Sequence, residues 1–143
     1  MQYALLDYVT DAGWTQLSPA EQDTWLGAYQ AYLDAMVVAG VLTTTLGLHP
    51  AAAATTVRVA NGTTQVLDGP YADTKEQLGG LHIIEVPDLA AALAWAARSP
   101  TVLHGVVEVR PLVDGTLLTR DRRTFMPRER ATVAAPTATK EGA

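Results

Sequence analysis

The chain has no cysteine, one phenylalanine and only three histidines in 143 residues. Disulfides, thiolate nucleophiles and cysteine-ligated metals are therefore excluded, and histidines scattered at 49, 82 and 104 do not have the spacing of a zinc site. No apolar run approaches the ~20 residues of a membrane-spanning helix. The opening MQYALLDYV has no cationic leader and is broken by Asp7, so a cytoplasmic protein with no membrane partner is expected. Nucleotide-binding glycine loops and metal motifs are also missing, and no cofactor is expected. Any chemistry must come from carboxylates, imidazoles, phenols, lysine and backbone.

What is present has the balance of a globular domain, 48% hydrophobic and 17% charged, and the length suits one hydrophobic core. Charge is unevenly spread. Residues 1–119 hold 4 basic and 12 acidic side chains, a net of −8, whereas 120–143 hold 6 and 3, a net of +3. An acidic body argues against nucleic acid as its partner. Five of the ten cationic residues fall within RDRRTFMPRER, 120–130, ahead of a tail of frayed composition. A domain over 1–113 and a basic arm with flexible tail over 114–143 are expected, the arm being either solvated or wrapped on an acidic partner copy.

YALLDY, 3–8, has the length and flanks of a first strand. SPAE then offers Ser18 as N-cap, Pro19 at the first helical position and Glu21 to close a capping box. Trp25, Leu26, Tyr29, Tyr32, Leu33, Met36 and Val37 recur at helical spacing up to Gly40, which predicts a helix over 19–39. VLTTTLGL (41–48), TTVRVA (55–60) and TTQVL (63–67) are β-branched runs, the last two joined by the Asn61-Gly62 turn. LHIIEV (81–86) is a further strand. Asp88 caps a second helix over 89–98, with Leu89, Leu93 and Ala96 expected on one side, and GVVEVRPL (105–112) is the last strand. The order is that of a ferredoxin-like βαββαβ sandwich, α+β in class, with an inserted hairpin. Both helices would cover one face of the sheet, and the other would call for a homodimer partner.

The segments MQYALLDY, TTVRV, DGPYADTKEQLGGLHIIEVPDL, AWAAR and VEVRPL, in that order over roughly 1–113, resemble the YCII-related superfamily and within it the DGPF-domain proteins. The motif that names the latter reads Asp68-Gly69-Pro70-Tyr71 here. The resemblance implies a dimeric α+β barrel of ferredoxin-like protomers. Some relatives are linked to extracytoplasmic-function sigma factors, and others in the superfamily look like small cofactor-free enzymes, including a dehydrochlorinase-type lyase with a His and Asp pair proposed at the cleft.

DGPYADTKEQLGG, 68–80, reads structurally as a rigid loop, its double glycine giving a tight or positive-φ entry to the next strand. It reads functionally as a place from which Asp68, Tyr71, Lys75 and Glu76 project over a dimer cleft toward a small-molecule ligand. Against the family pattern Asp7, His49 and His82 are ionisable where relatives are usually blander. With the first and third sheet strands taken as parallel neighbours, Asp7 and His82 fall within reach of each other, a carboxylate orienting an imidazole as general base. Asp7, His82 and His49 are the catalytic candidates, while His104 reads as structural. Strand parity puts Glu108 and Arg110 on one face, opposite Val107 and Val109, and Asp7 is expected to join that charged face inside the barrel. The expectation is a cofactor-independent lyase, isomerase or cyclase acting on a small organic molecule, or else a non-catalytic ligand-binding or transcription-accessory module.

Overall fold

Alternation of side chains in the first strand decides which way the sheet faces. In β1 (Gln2–Val9) Tyr3, Leu5 and Asp7 are buried while the side chains between them are more open. A computed structural model describes residues 1–113, Asp11 and Ala12 by backbone only; the basic arm expected over 114–143 lies outside the described residues. After β1 comes a short helix that the sequence pattern did not announce, α1 (Asp11–Gln16), then α2 (Pro19–Val38). The capping box forms as expected. Ser18 Oγ accepts from the Glu21 N–H, the Glu21 carboxylate accepts from the Ser18 N–H, and these bonds hold the Glu21 carboxyl below its ordinary range. Gly40, at φ 69°, ends the helix in the left-handed region.

The remaining elements are β2 (Leu42–Gly47), the hairpin β3 (Thr55–Ala60) and β4 (Thr63–Asp68), β5 (Gln77–Glu85), α3 (Leu89–Ala97) and β6 (Val106–Pro111). The hairpin turns through Asn61 (φ 51°) and Gly62 (φ 73°), the paired positive values of a type I′ turn, and forms a two-stranded sheet of its own. The main sheet has the order β2-β5-β1-β6, the ferredoxin-like arrangement, so the α+β class holds.

Every pairing in this sheet is antiparallel, β1 with β5 included. The parallel relation expected for those two strands is corrected: in this topology β1 and β2 run alike, and β5 inserts between them in the opposite sense. The double glycine is also corrected. Gly79 and Gly80 have no positive φ and lie inside β5, which starts at Gln77. Close approach explains them. A Cβ on Gly80 would lie 2.9 Å from the Leu46 carbonyl oxygen, and one on Gly79 would lie 2.8 Å from a Val9 methyl carbon.

The core sits between the sheet and helices α2 and α3: Tyr3 and Leu5 of β1, Tyr32 and Met36 of α2, Ile84 of β5, Ala92 and Ala96 of α3, with Val86. In α3 the alanines turn inward and Leu89 and Leu93 stay exposed, contrary to the expected leucine side. Ala92 and Ala96 are one turn apart, and their small side chains let the helix approach the sheet closely. The opposite sheet face carries Leu6, Tyr8, Leu81 and Ile83, half-buried, with Leu46 and Val106 about half exposed.

Candidate functional site

Register places the ionisable residues. Leu5 pairs with His82 and His82 with Thr45, so these three share the helix-covered face together with Asp7, two residues from Leu5. Glu108 pairs with Leu6 and Arg110 with Ala4, on the opposite face. The expected gathering of Asp7 with Glu108 and Arg110 is therefore corrected: Asp7 is directly opposite Val107, and it points under α2. Glu108 and Arg110 pair with each other at the surface instead.

Asp7 and His82 do meet. Asp7 Oδ2 lies 2.8 Å from His82 Nε2, with only 3% and 1% of the two residues exposed. Tyr29, one helical turn before Tyr32 on α2, brings its hydroxyl 2.6 Å from the same Nε2 and donates to Asp7 Oδ2 at 3.1 Å. Thr45 Oγ1 stands 2.8 Å from His82 Nδ1. With the proton on Nε2 every group is matched: Nε2–H faces the carboxylate and the phenol oxygen, and the Thr45 hydroxyl donates to Nδ1. A doubly protonated ring fits too, with Thr45 as acceptor and Asp7 as counter-charge. One atom is left over, since Asp7 Oδ1 is buried and accepts no hydrogen bond among the described residues.

The strand is distorted at this point. Asp7 pairs with Gly80 but Tyr8 pairs with Leu78, so Gly79 is an extra residue bulged out beside the Asp7 backbone. Gly80 and Gly47, on the row beside Asp7, bring no side chains to it from β5 and β2.

Burial, and after it the negative charge of Asp7, raise the Tyr29 phenol well above its ordinary value of 10.0; Tyr32 is raised in the same way, with Arg98 opposing. Tyr29 is thus a proton donor to the network and not a base. For both phenols the folded chain holds a proton that the unfolded chain releases near 10.0. The stability they contribute is complete below that pH and is lost as pH rises above it. Urea midpoints measured across this range are expected to fall on the alkaline side, and less steeply in Tyr29→Phe than in the parent; equal slopes would remove Tyr29 as the cause.

Two cavities are lined in part by the end of β1 and the residue after it. One, of about 500 Å³, is lined by Trp14, Trp25, Leu26, Leu48, His49 and His104 among others. Trp25 stacks on Tyr29 with ring centroids 5.1 Å apart, so one aromatic ring separates the cavity wall from the phenol that holds Asp7 and His82. The other, of about 750 Å³, lies between Tyr8, the 48–57 segment and the loop at Pro70–Ala72.

His49 lines both cavities. Tyr71 lines the larger one but is 94% exposed. Asp68 ends β4 on the surface, and Lys75 is exposed and lines neither cavity. Asp7 and His82 line neither cavity as well. Sequence reasoning missed Tyr29, Thr45, Trp25 and the cavity position of His104. Only Tyr29 left a signal, because a phenol inside an apolar stripe needs a polar partner when it is buried. Among the described residues no group of three or more His, Asp or Glu could hold a metal ion, and no helix is long and apolar enough to cross a membrane.

The model of a family described as the YCII-related domain matches residues 1–116. An uncharacterized protein of Rhizobium meliloti (strain 1021) is 37% identical over 114 residues, which covers 78% of this chain and 92% of that protein. Among solved structures, the 5-chloro-2-hydroxyhydroquinone dehydrochlorinase of Burkholderia phenoliruptrix AC1100, in complex with 2,5-dihydroxybenzoquinone, matches with a TM-score of 0.47 and 15% identity, over 81% of this chain and 97% of that one.

Proposed function

This chain belongs to the family of YCII-related domains, and from that premise we propose that it is a small cofactor-independent enzyme doing general acid/base chemistry, of lyase, isomerase or cyclase type, on a small organic molecule. The observation that carries the proposal is the buried Asp7–His82 pair with a free acceptor at Oδ1. A carboxylate and an imidazole buried under a helix cost desolvation that apolar residues would not, and an acceptor without a donor adds to that cost. An acid/base centre needs what this arrangement offers: a carboxylate lone pair not yet engaged, an imidazole held in one tautomer, and a phenol that keeps its proton.

In the proposed mechanism the substrate occupies the cavity beside Trp25. The Trp25 ring moves aside with Tyr29, a C–H of the substrate gives its proton to the Asp7 carboxylate, and its electron pair stays on the substrate as an enolate whose oxygen accepts from the Tyr29 hydroxyl. The proton then returns to the same or a neighbouring atom. His49, at the cavity wall, is the second proton-handling residue. A second copy covers the open sheet face, where Leu46 and Val106, about half exposed, continue the apolar row of Leu6, Tyr8, Leu81 and Ile83; sedimentation at twice 15.2 kDa is the expected result.

The wall of aromatic rings between cavity and network also favours a second possibility, a ligand-binding module without turnover. The two are separated by proton exchange in heavy water. A panel of small enolisable acids, ketones and phenols is incubated with the protein, and loss of C–H signals is followed by proton NMR. Exchange catalysed by the parent and abolished in the combined variant Asp7→Val, Tyr29→Phe, His82→Leu supports the enzyme. Exchange that persists in that variant, or no exchange of any compound, removes it.

A further inference from the structure

The smaller cavity has a composition that selects its ligand by charge. At about 500 Å³ it is within the usual size of a small-molecule site. Its aromatic wall is ordered: Trp14 meets Trp25 edge to face at 5.5 Å, and Trp25 is itself braced by Tyr29. Leu26 and Leu48 complete an apolar slot suited to a flat ring.

Among the described residues that line it, the titratable side chains are His49 and His104, from two loops far apart in sequence. Neither imidazole hydrogen-bonds another described residue through its side chain, so both keep an N–H donor for a ligand, whether neutral or protonated. In a chain with a net charge of −5, a cavity whose described titratable groups are both imidazoles stands out from the acidic body.

We propose that this cavity binds a planar aromatic acid in its anionic form, the ring against Trp14 and Trp25 and the carboxylate or phenolate taken by His49, His104 or both. The proposal names the substrate class for the cavity used in the proposed function and rests on that cavity being the ligand site, but not on any turnover there. An anion is attracted by imidazolium and accepts a strong hydrogen bond from imidazole N–H; an ammonium gains neither. A neutral analogue keeps the ring contacts and loses the charge-assisted bond.

Calorimetric titration of the full chain with cinnamate, cinnamyl alcohol and cinnamylamine tests this, since the three share one planar skeleton. Cinnamate is expected to bind about tenfold or more tighter than the alcohol, and the amine weakest. In His49→Leu/His104→Leu, which keeps apolar bulk, the preference for the acid should collapse to less than about threefold while alcohol binding persists. Trp25→Ala should weaken all three ligands together. Equal affinities, tightest binding of the amine, an acid preference that survives loss of both histidines, or no binding of any of the three would each overturn the proposal. Cinnamate binding without any proton exchange would remove the enzyme and leave this site, whereas exchange without acid preference would do the reverse.

Discussion

Asp7→Ala should lower the stability of the chain by about 3–5 kcal/mol, read as a large drop in the urea midpoint, because it strands a buried imidazole. His82 is 1% exposed, and its Nε2 would keep only the Tyr29 oxygen. The same variant removes the carboxylate acceptor of the Tyr29 hydroxyl, which is left with Nε2 alone. Breaking one partner of a buried pair costs far more than the pair itself is worth, so the replacement of all three groups should behave differently. In Asp7→Val, Tyr29→Phe, His82→Leu no charge or phenol is left unmatched, and the Thr45 hydroxyl, on an exposed residue of the edge strand β2, turns to water. This triple variant is expected to be as stable as the parent or more so. A loss of about 1 kcal/mol or less in Asp7→Ala, the general scale of a solvent-exposed ion pair, would mean that the buried pair does not form. A triple variant as unstable as the single one would mean that the network is there for the fold, and the main physical support for an acid/base centre would go with it.

Gly105→Ala should be the next most damaging change, by about 2–4 kcal/mol. Gly105 leads into β6 where the chain passes the end of β1, and its N–H donates to Thr101 at 2.7 Å. A Cβ there would land on the carbonyl oxygen of Tyr8 and press on Val9, backbone against backbone with no flexible side chain to give way. The two strands would have to part next to the bulge that sets Asp7, so thermal unfolding and the Tyr29–Asp7 contact should suffer together. Gly27→Ala is the internal comparison. Gly27 lies within α2 with nothing within 4 Å of a new Cβ, and alanine there should stabilise by about 0.5–1 kcal/mol. If Gly105→Ala unfolds at the parent temperature, the close approach of β6 to β1 is wrong.

Much of the fold could be read from local signals. Ser18, Pro19 and Glu21 mark the start of α2 and Gly40 its end, because capping chemistry and positive φ are properties of a few consecutive residues. Asn61-Gly62 marks the hairpin for the same reason. Helix α1 left no such mark, since it is six residues long and Thr10 makes no side-chain cap bond. The side of α3 that faces the core was misread as well. Leucine is more apolar than alanine, but the distance between helix and sheet decides whether it fits, and that distance is not encoded in α3 alone.

The candidate site divides in the same way. That Asp7 and His82 are unusual residues for strand interiors is legible from composition and pattern, and their meeting follows from the strand order. Which face they share is not, because parity within one strand says nothing about the register of its neighbours. Glu108 and Arg110 were assigned to Asp7's face on parity alone, and the β1–β6 register puts them on the other one. Tyr29 entered the sequence account as one member of an apolar stripe; only packing of α2 over β1 and β5 makes its hydroxyl the link between carboxylate and imidazole.

By itself, then, the sequence determined every strand and the two longer helices, their order, the α+β class and the family, since these depend on short-range backbone chemistry and on motifs of contiguous residues. Tertiary structure alone decided that the ionisable pair lies beneath a helix behind Trp25 and Tyr29, and that two distant histidines border one aromatic cavity. Those outcomes depend on the register and separation of strands and helices far apart along the chain, which side-chain packing sets and no local pattern carries.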